Sequence, residues 1–259
     1  MLKTRRSSRI PGQKSKRSAD NFPYQGWSNR TVVKGVLFDF FGTLVNYNPD
    51  RTSQTYEATF EVLTSLGVRQ DYQFFLSTSD NLFDRFMAES EATQTEFSMQ
   101  QVFQVLMDLL EVPVKQSELD LLSESYTIEW AKSVEPIPGV KRFLSNLSQQ
   151  FRLGLITNTH YTPMIYRLLG EMDIEELFEI VFTSVDHGKS KPHPAIFSDA
   201  LTRMDISAAD VVYVGDSYQA DYKGATAIGI NCYLIGKHAR VPVEYQIPTV
   251  LDLPLHRLK

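Results

Sequence analysis

Three apolar residues, Val36, Leu37 and Phe38, run directly into an aspartate, and this junction restricts the fold more than any other part of the chain. An apolar, β-branched and aromatic run fits a strand covered on both faces. The carboxyl that ends it is costly to bury without a partner or a task. Gly42 then permits a sharp backbone turn, and Thr43 can hydrogen-bond that turn. Open α/β sheets hold their ligands at the carboxyl tips of central parallel strands. Asp39 is therefore a candidate nucleophile, although taken alone it is better read as a plain strand-end turn residue, and only the other motifs tip the balance.

The remaining sequence supplies the cover such a strand needs. Tyr56, Phe60, Leu63 and Leu66 recur at helical spacing, with Gly67 placed as a C-terminal cap. Ser98 to Gln101 reads as a capping box ahead of Val102, Phe103, Leu106, Leu109 and Leu110, and Ser117 to Asp120 repeats the signal. Residues 50–136 are thus expected to form an all-helical insert, its aromatic stripe (Tyr56, Phe60, Phe74, Phe75, Phe83, Phe86 and Phe103) serving mostly as core. From Pro136-Ile-Pro-Gly139 onward, helices and strands alternate. Helices are predicted over 140–147, to about Gly170, over 195–203 and over 225–229, and strands over 153–156, 180–182, 211–214 and 232–235. The expected architecture is an α/β, doubly wound parallel sheet built from residues 32–49 and 137–259.

Charge divides the chain. Residues 1–20 hold seven Lys/Arg and one Asp, a net +6, whereas the rest carries −11. The acidic body argues against nucleic acid as its substrate. Residues 1–31 are expected to be a basic, disordered tail and linker. A lone Cys232 excludes an intrachain disulfide, no run is long enough to span a membrane, and both facts fit a cytoplasmic protein acting on a small molecule.

Further polar residues fall at strand ends or helix entries. Thr157 and Asn158 close one strand, Lys191 lies in Gly188-Lys-Ser-Lys-Pro-His-Pro194, and Asp216 and Asp221 lie in Gly215-Asp-Ser-Tyr-Gln-Ala-Asp221. A carboxylate attacking phosphorus needs a cation to offset anion repulsion. Asp39 and Asp216 can hold Mg²⁺, which prefers oxygen ligands. Thr157, the Asn158 amide and Lys191 would then neutralise the phosphoryl oxygens. Asp221, beside Ser217, is read as orienting Lys191 or the Asp216 loop. Bland alternatives remain: Thr157-Asn158 and Asp216-Ser217 both suit helix N-caps. The five histidines show no metal-ligand spacing and read as surface or structural, His193 being singled out only because it lies close to Lys191. Neither a Walker loop nor a nucleophile elbow is present, because Thr183 and Gln219 stand where each requires glycine.

Four ordered segments, FDFFGTLV, LITNT, KSKPHPAIF and VGDSYQAD, resemble the haloacid dehalogenase (HAD) superfamily over about residues 32–236. The insert position resembles the helical C1 cap of its subfamily I. The resemblance implies a Mg²⁺-dependent hydrolase with Asp39 as nucleophile and Asp39, the Phe41 carbonyl and Asp216 as metal ligands. Gly42, Thr43, Thr157, Asn158 and Lys191 would contact phosphate, and Tyr47 and Arg51, at the cap entrance, are candidates for substrate contact. One departure stands out. Family phosphatases usually place a general-acid aspartate two residues after the nucleophile, and here Phe41 occupies that position. Such an acid typically contributes roughly 10²–10⁴-fold, about 3–5 kcal/mol of barrier. Haloacid dehalogenases resemble the chain in this aromatic but lack the aspartate matching Asp216. Three functions follow: a phosphatase with its proton from elsewhere, a dehalogenase-like or phosphonatase-like hydrolase using Asp39, or a catalytically impaired binding protein.

Overall fold

The computed structural model describes residues 32–259, so the basic segment and the stretch to Thr31 lie outside the described residues. From β1 (Gly35–Phe38) the chain passes through β2 (Val45–Asn46) into four helices, α1 (Glu57–Ser65), α2 (Tyr72–Thr93), α3 (Met99–Leu109) and α4 (Gln116–Trp130). It returns through β3 (Glu135–Pro136) to α5 (Val140–Leu147), β4 (Arg152–Thr157), α6 (Thr162–Glu171) and β5 (Ile180–Thr183). Next come α7 (Ser184–His187), α8 (Pro194–Arg203) and β6 (Val211–Gly215). A π turn over Tyr218–Tyr222, α9 (Lys223–Ala227), β7 (Asn231–Ile235) and β8 (Gln246–Ile247) follow. Among the described residues, no helix is long and apolar enough to cross a membrane.

Six strands form one parallel sheet in the order β5-β4-β1-β6-β7-β8. All four residues of β1 are buried, as an apolar run between two parallel neighbours requires. After β1 the chain builds outward to β5, then crosses back and builds the other half from β6. The carboxyl ends of β1 and β6 therefore flank the point where strand order reverses, the place such sheets reserve for ligands. Asp39 and Asp216 each follow the end of one of these two strands.

The outward and return crossings to the insert lie side by side. β2 and β3 pair antiparallel, Val45 opposite Pro136 and Asn46 opposite Glu135, and the Ile137 amide donates to the Leu44 carbonyl at 3.0 Å. Neither stretch carries a strand signature long enough to be recognised in sequence. Within the insert, Tyr56 stacks on Tyr126 with 4.3 Å between ring centroids, joining the approach to α1 with α4. Tyr56 has no capping side chain for α1. The buried Glu129 of α4 takes that part instead, accepting from the Ala58 and Thr59 amides at 3.1 and 2.9 Å and from the Thr59 hydroxyl at 2.7 Å. A carboxylate is well placed at a helix N-terminus, where first-turn amides lack partners.

Three local expectations change. α3 begins with the Ser98–Gln101 capping box, as anticipated. α4 instead starts before Ser117, where the Glu118 carboxylate accepts from the Lys115 amide at 2.7 Å. Phe74 is 43% exposed and no part of the core, because it sits on the outer face of α2, whereas Phe75 and Phe83 are buried. The last helical stretch begins earlier than residue 225, since the π turn leads straight into α9.

Glu129→Ala should destabilise the protein by about 1–3 kcal/mol, the usual cost of leaving buried donors unsatisfied. Glu129→Gln, which retains one acceptor oxygen, should cost less. Urea unfolding of both variants measures the difference.

Candidate active site

Lys191 sits at the centre of the crevice with its side chain 2% exposed. Its ammonium donates to Asp39 Oδ1 and to Asp221 Oδ1, both at 2.7 Å, and to the Tyr213 hydroxyl at 2.9 Å. The backbone of Lys191 is held as firmly. Asn158 Oδ1 accepts its amide at 2.9 Å, and Asn158 Nδ2 donates to its carbonyl at 3.1 Å. The Asn158 side chain thus works as a clamp on Lys191 and not as an N-cap.

Each carboxylate has a distinct setting. Asp39 is buried, with the Thr43 hydroxyl 3.5 Å from its Oδ2. Asp221 lies in the π turn, where Ser217 N–H donates to its Oδ2 at 2.9 Å. Ser217 also caps that turn, its hydroxyl oxygen accepting from the Ala220 amide at 3.1 Å. The capping reading therefore belongs to Ser217, and Asp216 stays exposed to the cavity. Gly42 makes room for it. Its φ is +75°, and a Cβ there would lie 2.1 Å from Asp216 Oδ2, so any other residue would push that carboxylate away.

Carboxylate oxygens of Asp39, Asp216 and Asp221 lie within 4.8 Å of one another. One lysine cannot balance three carboxylates out of water. Burial, reinforced by Asp221 and Asp216 and opposed by Lys191, pushes Asp39 up to about 7. Burial and Asp221, opposed by Lys191, push Asp216 up to about 6. Burial works to lower Lys191, yet Asp221 and Asp39 hold its ammonium above the ordinary range. The donor set is all oxygen, carries excess negative charge and includes one carboxylate facing the cavity, which suits a hard divalent cation.

The crevice opens into a cavity of about 710 Å³ between sheet edge and insert. Phe41, Tyr47 and Arg51 line it, as do Asn158 and Lys191. Thr157 does not: it ends β4 fully buried, its hydroxyl 3.5 Å from the Asn158 carbonyl. The Phe41 ring joins Tyr47 and Trp130, each 5.3 Å away between centroids. His193 is structural, its Nδ1 accepting from the Ala195 amide at the start of α8.

Residues 36–235 match the haloacid dehalogenase-like hydrolase family. The chain belongs to that family. It is 25% identical over 203 residues to ribulose-1,5-bisphosphate 5-phosphatase of Halopiger xanaduensis, covering 78% of this chain and 84% of that one. It is 29% identical over 113 residues to glyceraldehyde 3-phosphate phosphatase of Pyrococcus furiosus, covering 42% and 47%. To human haloacid dehalogenase-like hydrolase domain-containing protein 3 it is 33% identical over 110 residues, covering 39% and 43%. The matched stretch therefore spans under half of the last two relatives. In fold it is similar to a 2-haloacid dehalogenase of Pseudomonas syringae, with TM-score 0.66, 24% identity and coverage of 88% of this chain and 100% of that one. It also resembles a magnesium-bound HAD hydrolase of Bacillus subtilis, with TM-score 0.55, 22% identity and coverage of 88% and 99%.

The structure adds site residues to this HAD hydrolase that the motifs do not contain. Tyr213, in the middle of β6, is fully buried and touches Lys191 and Asp221, with its hydroxyl also 3.1 Å from the Ile156 carbonyl. A tyrosine in the otherwise aliphatic Val-Val-Tyr-Val run was its one sequence signal. Glu96 of the insert reaches the sheet, accepting from the Ser184 hydroxyl at 2.6 Å and lying 3.0 Å from His160 Nδ1. His160, expected to be surface or structural, stacks on Phe97 at 4.0 Å and lines the cavity. No sequence signal links these three residues.

Asp39 and Asp216 bind their protons more tightly folded than at their ordinary value of 3.8. The stability this contributes is complete below about pH 4 and is lost as pH rises through about 6 and then about 7. In chelator, thermal stability should fall across that window, and Asp39→Asn should flatten the upper part, as read by melting curves against pH. Gly42→Ala should destabilise more than Gly67→Ala, whose added Cβ meets nothing within 4 Å at φ +101°. Pairing Gly42→Ala with Asp216→Ala should recover part of that excess, which a double-mutant cycle measures.

Proposed function

We propose that this HAD hydrolase is a Mg²⁺-dependent phosphatase that moves a phosphoryl group from a small phosphorylated metabolite to Asp39 and then to water. The observation that carries the reading is Lys191 bridging Asp39 and Asp221 while Asp216 faces the same cavity. That arrangement supports the reading because Asp39, a positive charge and a further carboxylate meet at one sheet edge. The names of the haloarchaeal and Pyrococcus relatives, both phosphatases, support a phosphate ester.

Asp39, Asp216 and the Phe41 carbonyl would hold the ion, which when bound would offset the repulsion between carboxylate and phosphoryl oxygens. Asp39 forms the new oxygen–phosphorus bond as the ester bond breaks, the electron pair leaving with the ester oxygen. Lys191 keeps Asp39 oriented and supplies positive charge where the transition state spreads its negative charge. Water then attacks the phosphorus of the aspartyl-phosphate, releasing inorganic phosphate and restoring the carboxylate. The insert closes the cavity against bulk water and selects the substrate.

Phe41 has no proton to give the departing oxygen. This favours leaving groups that need none, and the same observation supports a second reading, cleavage of a carbon–halogen or carbon–phosphorus bond by Asp39. Under the phosphatase reading, an aryl phosphate with an acidic leaving group should be hydrolysed far faster than an alkyl phosphate, and chelator should abolish both. Phe41→Asp should narrow the gap at least tenfold, within the range general-acid help supplies. Halide release from 2-haloacids that survives chelator would instead establish the second reading.

A further inference from the structure

We infer that the cavity accepts a phosphate monoester whose leaving group carries an aromatic ring and no second anionic group. The inference rests on the phosphatase reading and names the substrate class that reading leaves open. A cavity of about 710 Å³ far exceeds a phosphoryl group, so most of its wall faces whatever the phosphate is attached to.

That wall is aromatic next to the nucleophile. Phe41 stands two residues from Asp39. Its ring meets Tyr47 and Trp130 at 5.3 Å each, and those two lie 6.1 Å apart, so three rings form one continuous face. Tyr47 lines the same cavity as Asp39, Asp216 and Asp221, so this face and the acidic cluster share one wall. Met87, Met99 and Met164 line the cavity too. Thioethers make favourable contacts with ring edges and adapt to varied shapes. Flat rings stack or pack edge-on against such a face, whereas hydroxyls laid against these three rings would meet no acceptor there.

Charge on the same wall excludes a second anion. Its basic residues, among those described, are Lys191, Arg51 and His160, and each already has acidic company. Lys191 is shared by Asp39 and Asp221. Arg51 donates to Asp84 at 2.7 Å, has Asp80 at 3.7 Å, and lies over the Phe83 ring at 4.1 Å. His160 stands 3.0 Å from Glu96, and Glu91 adds another carboxylate to the wall. A second phosphate or a carboxylate on the substrate would enter a partly desolvated, acid-rich space in which each basic side chain already has a carboxylate within 4 Å. Specificity built by such repulsion needs no extra attractive contact.

The test compares esters of matched leaving-group basicity, so that Phe41 chemistry cancels. With Mg²⁺, 2-phenylethyl phosphate should show a KM at least fivefold below that of hexyl phosphate. Adding a para-carboxylate to the phenyl ring should lower kcat/KM at least tenfold. Trp130→Ala should bring the two KM values together, and Trp130→Phe should keep most of the separation. Equal KM values for the ring and chain esters, or a preference for the carboxylated ester or for a sugar bisphosphate, would overturn the inference. Acetyl phosphate, which has no ring and an acidic leaving group, separates the failures. No turnover of it removes the phosphatase reading and this inference with it. Turnover without ring preference removes the inference alone.

Discussion

One buried ammonium holds the sheet edge together. Lys191 bridges a carboxylate that follows β1 and another that belongs to the turn after β6, while its backbone is clamped by the residue after β4. Removing charges from water is costly, and the geometry around Lys191 is what offsets it: its ammonium makes three hydrogen bonds, all under 3 Å. β4 and β6, which each pair with β1 but not with one another, are thereby joined through side chains at their functional ends. The join is incomplete in charge, since three carboxylates surround one lysine. The remaining negative charge suits the crevice to a divalent cation.

The insert completes the crevice from above. Its loop between α2 and α3 lies on the sheet edge, where the Glu96 amide donates to the Gly188 carbonyl at 3.3 Å and the Met99 amide to the His160 carbonyl at 2.8 Å. Lys189 donates to the Thr95 hydroxyl at 2.9 Å, beside the short bridge these two residues form. The β2–β3 pair and the packing of α4 on α6, where Arg167 lies 3.4 Å from Glu124, attach the insert at further places. The aromatic face of Phe41, Tyr47 and Trp130 draws on both parts, because Phe41 follows β1 and Trp130 ends α4. The path of the chain thus sets aromatic residues of the insert against the acidic cluster at the sheet edge.

Most strands and several helix starts were legible because local chemistry decides them. β1, β4 and β6 are apolar runs ended by polar residues, and the Ser98 capping box marks α3 without reference to anything distant. The start of α4 was misplaced by two residues because Lys115 supplies only its amide, and backbone groups leave no trace in residue type. Phe74 looked like core because periodicity reports which residues share a helix face, not whether that face is covered. The cap of α1 was invisible for a related reason, its acceptor being Glu129, 70 positions beyond Thr59.

The sequence by itself determined the sheet, the order of its units and the acidic, lysine-bearing ends of its strands, since each depends on neighbours a few residues apart. It also determined that position 41 carries an aromatic side chain with no proton to transfer, a matter of residue identity alone. Tertiary structure decided which groups touch: Tyr213 under Lys191, Asn158 as a backbone clamp, Thr157 away from the cavity wall, Glu96 across to His160. Those contacts join residues 22 to 64 positions apart and arise from strand register and from how the insert folds back. Spacing along a chain carries no record of either.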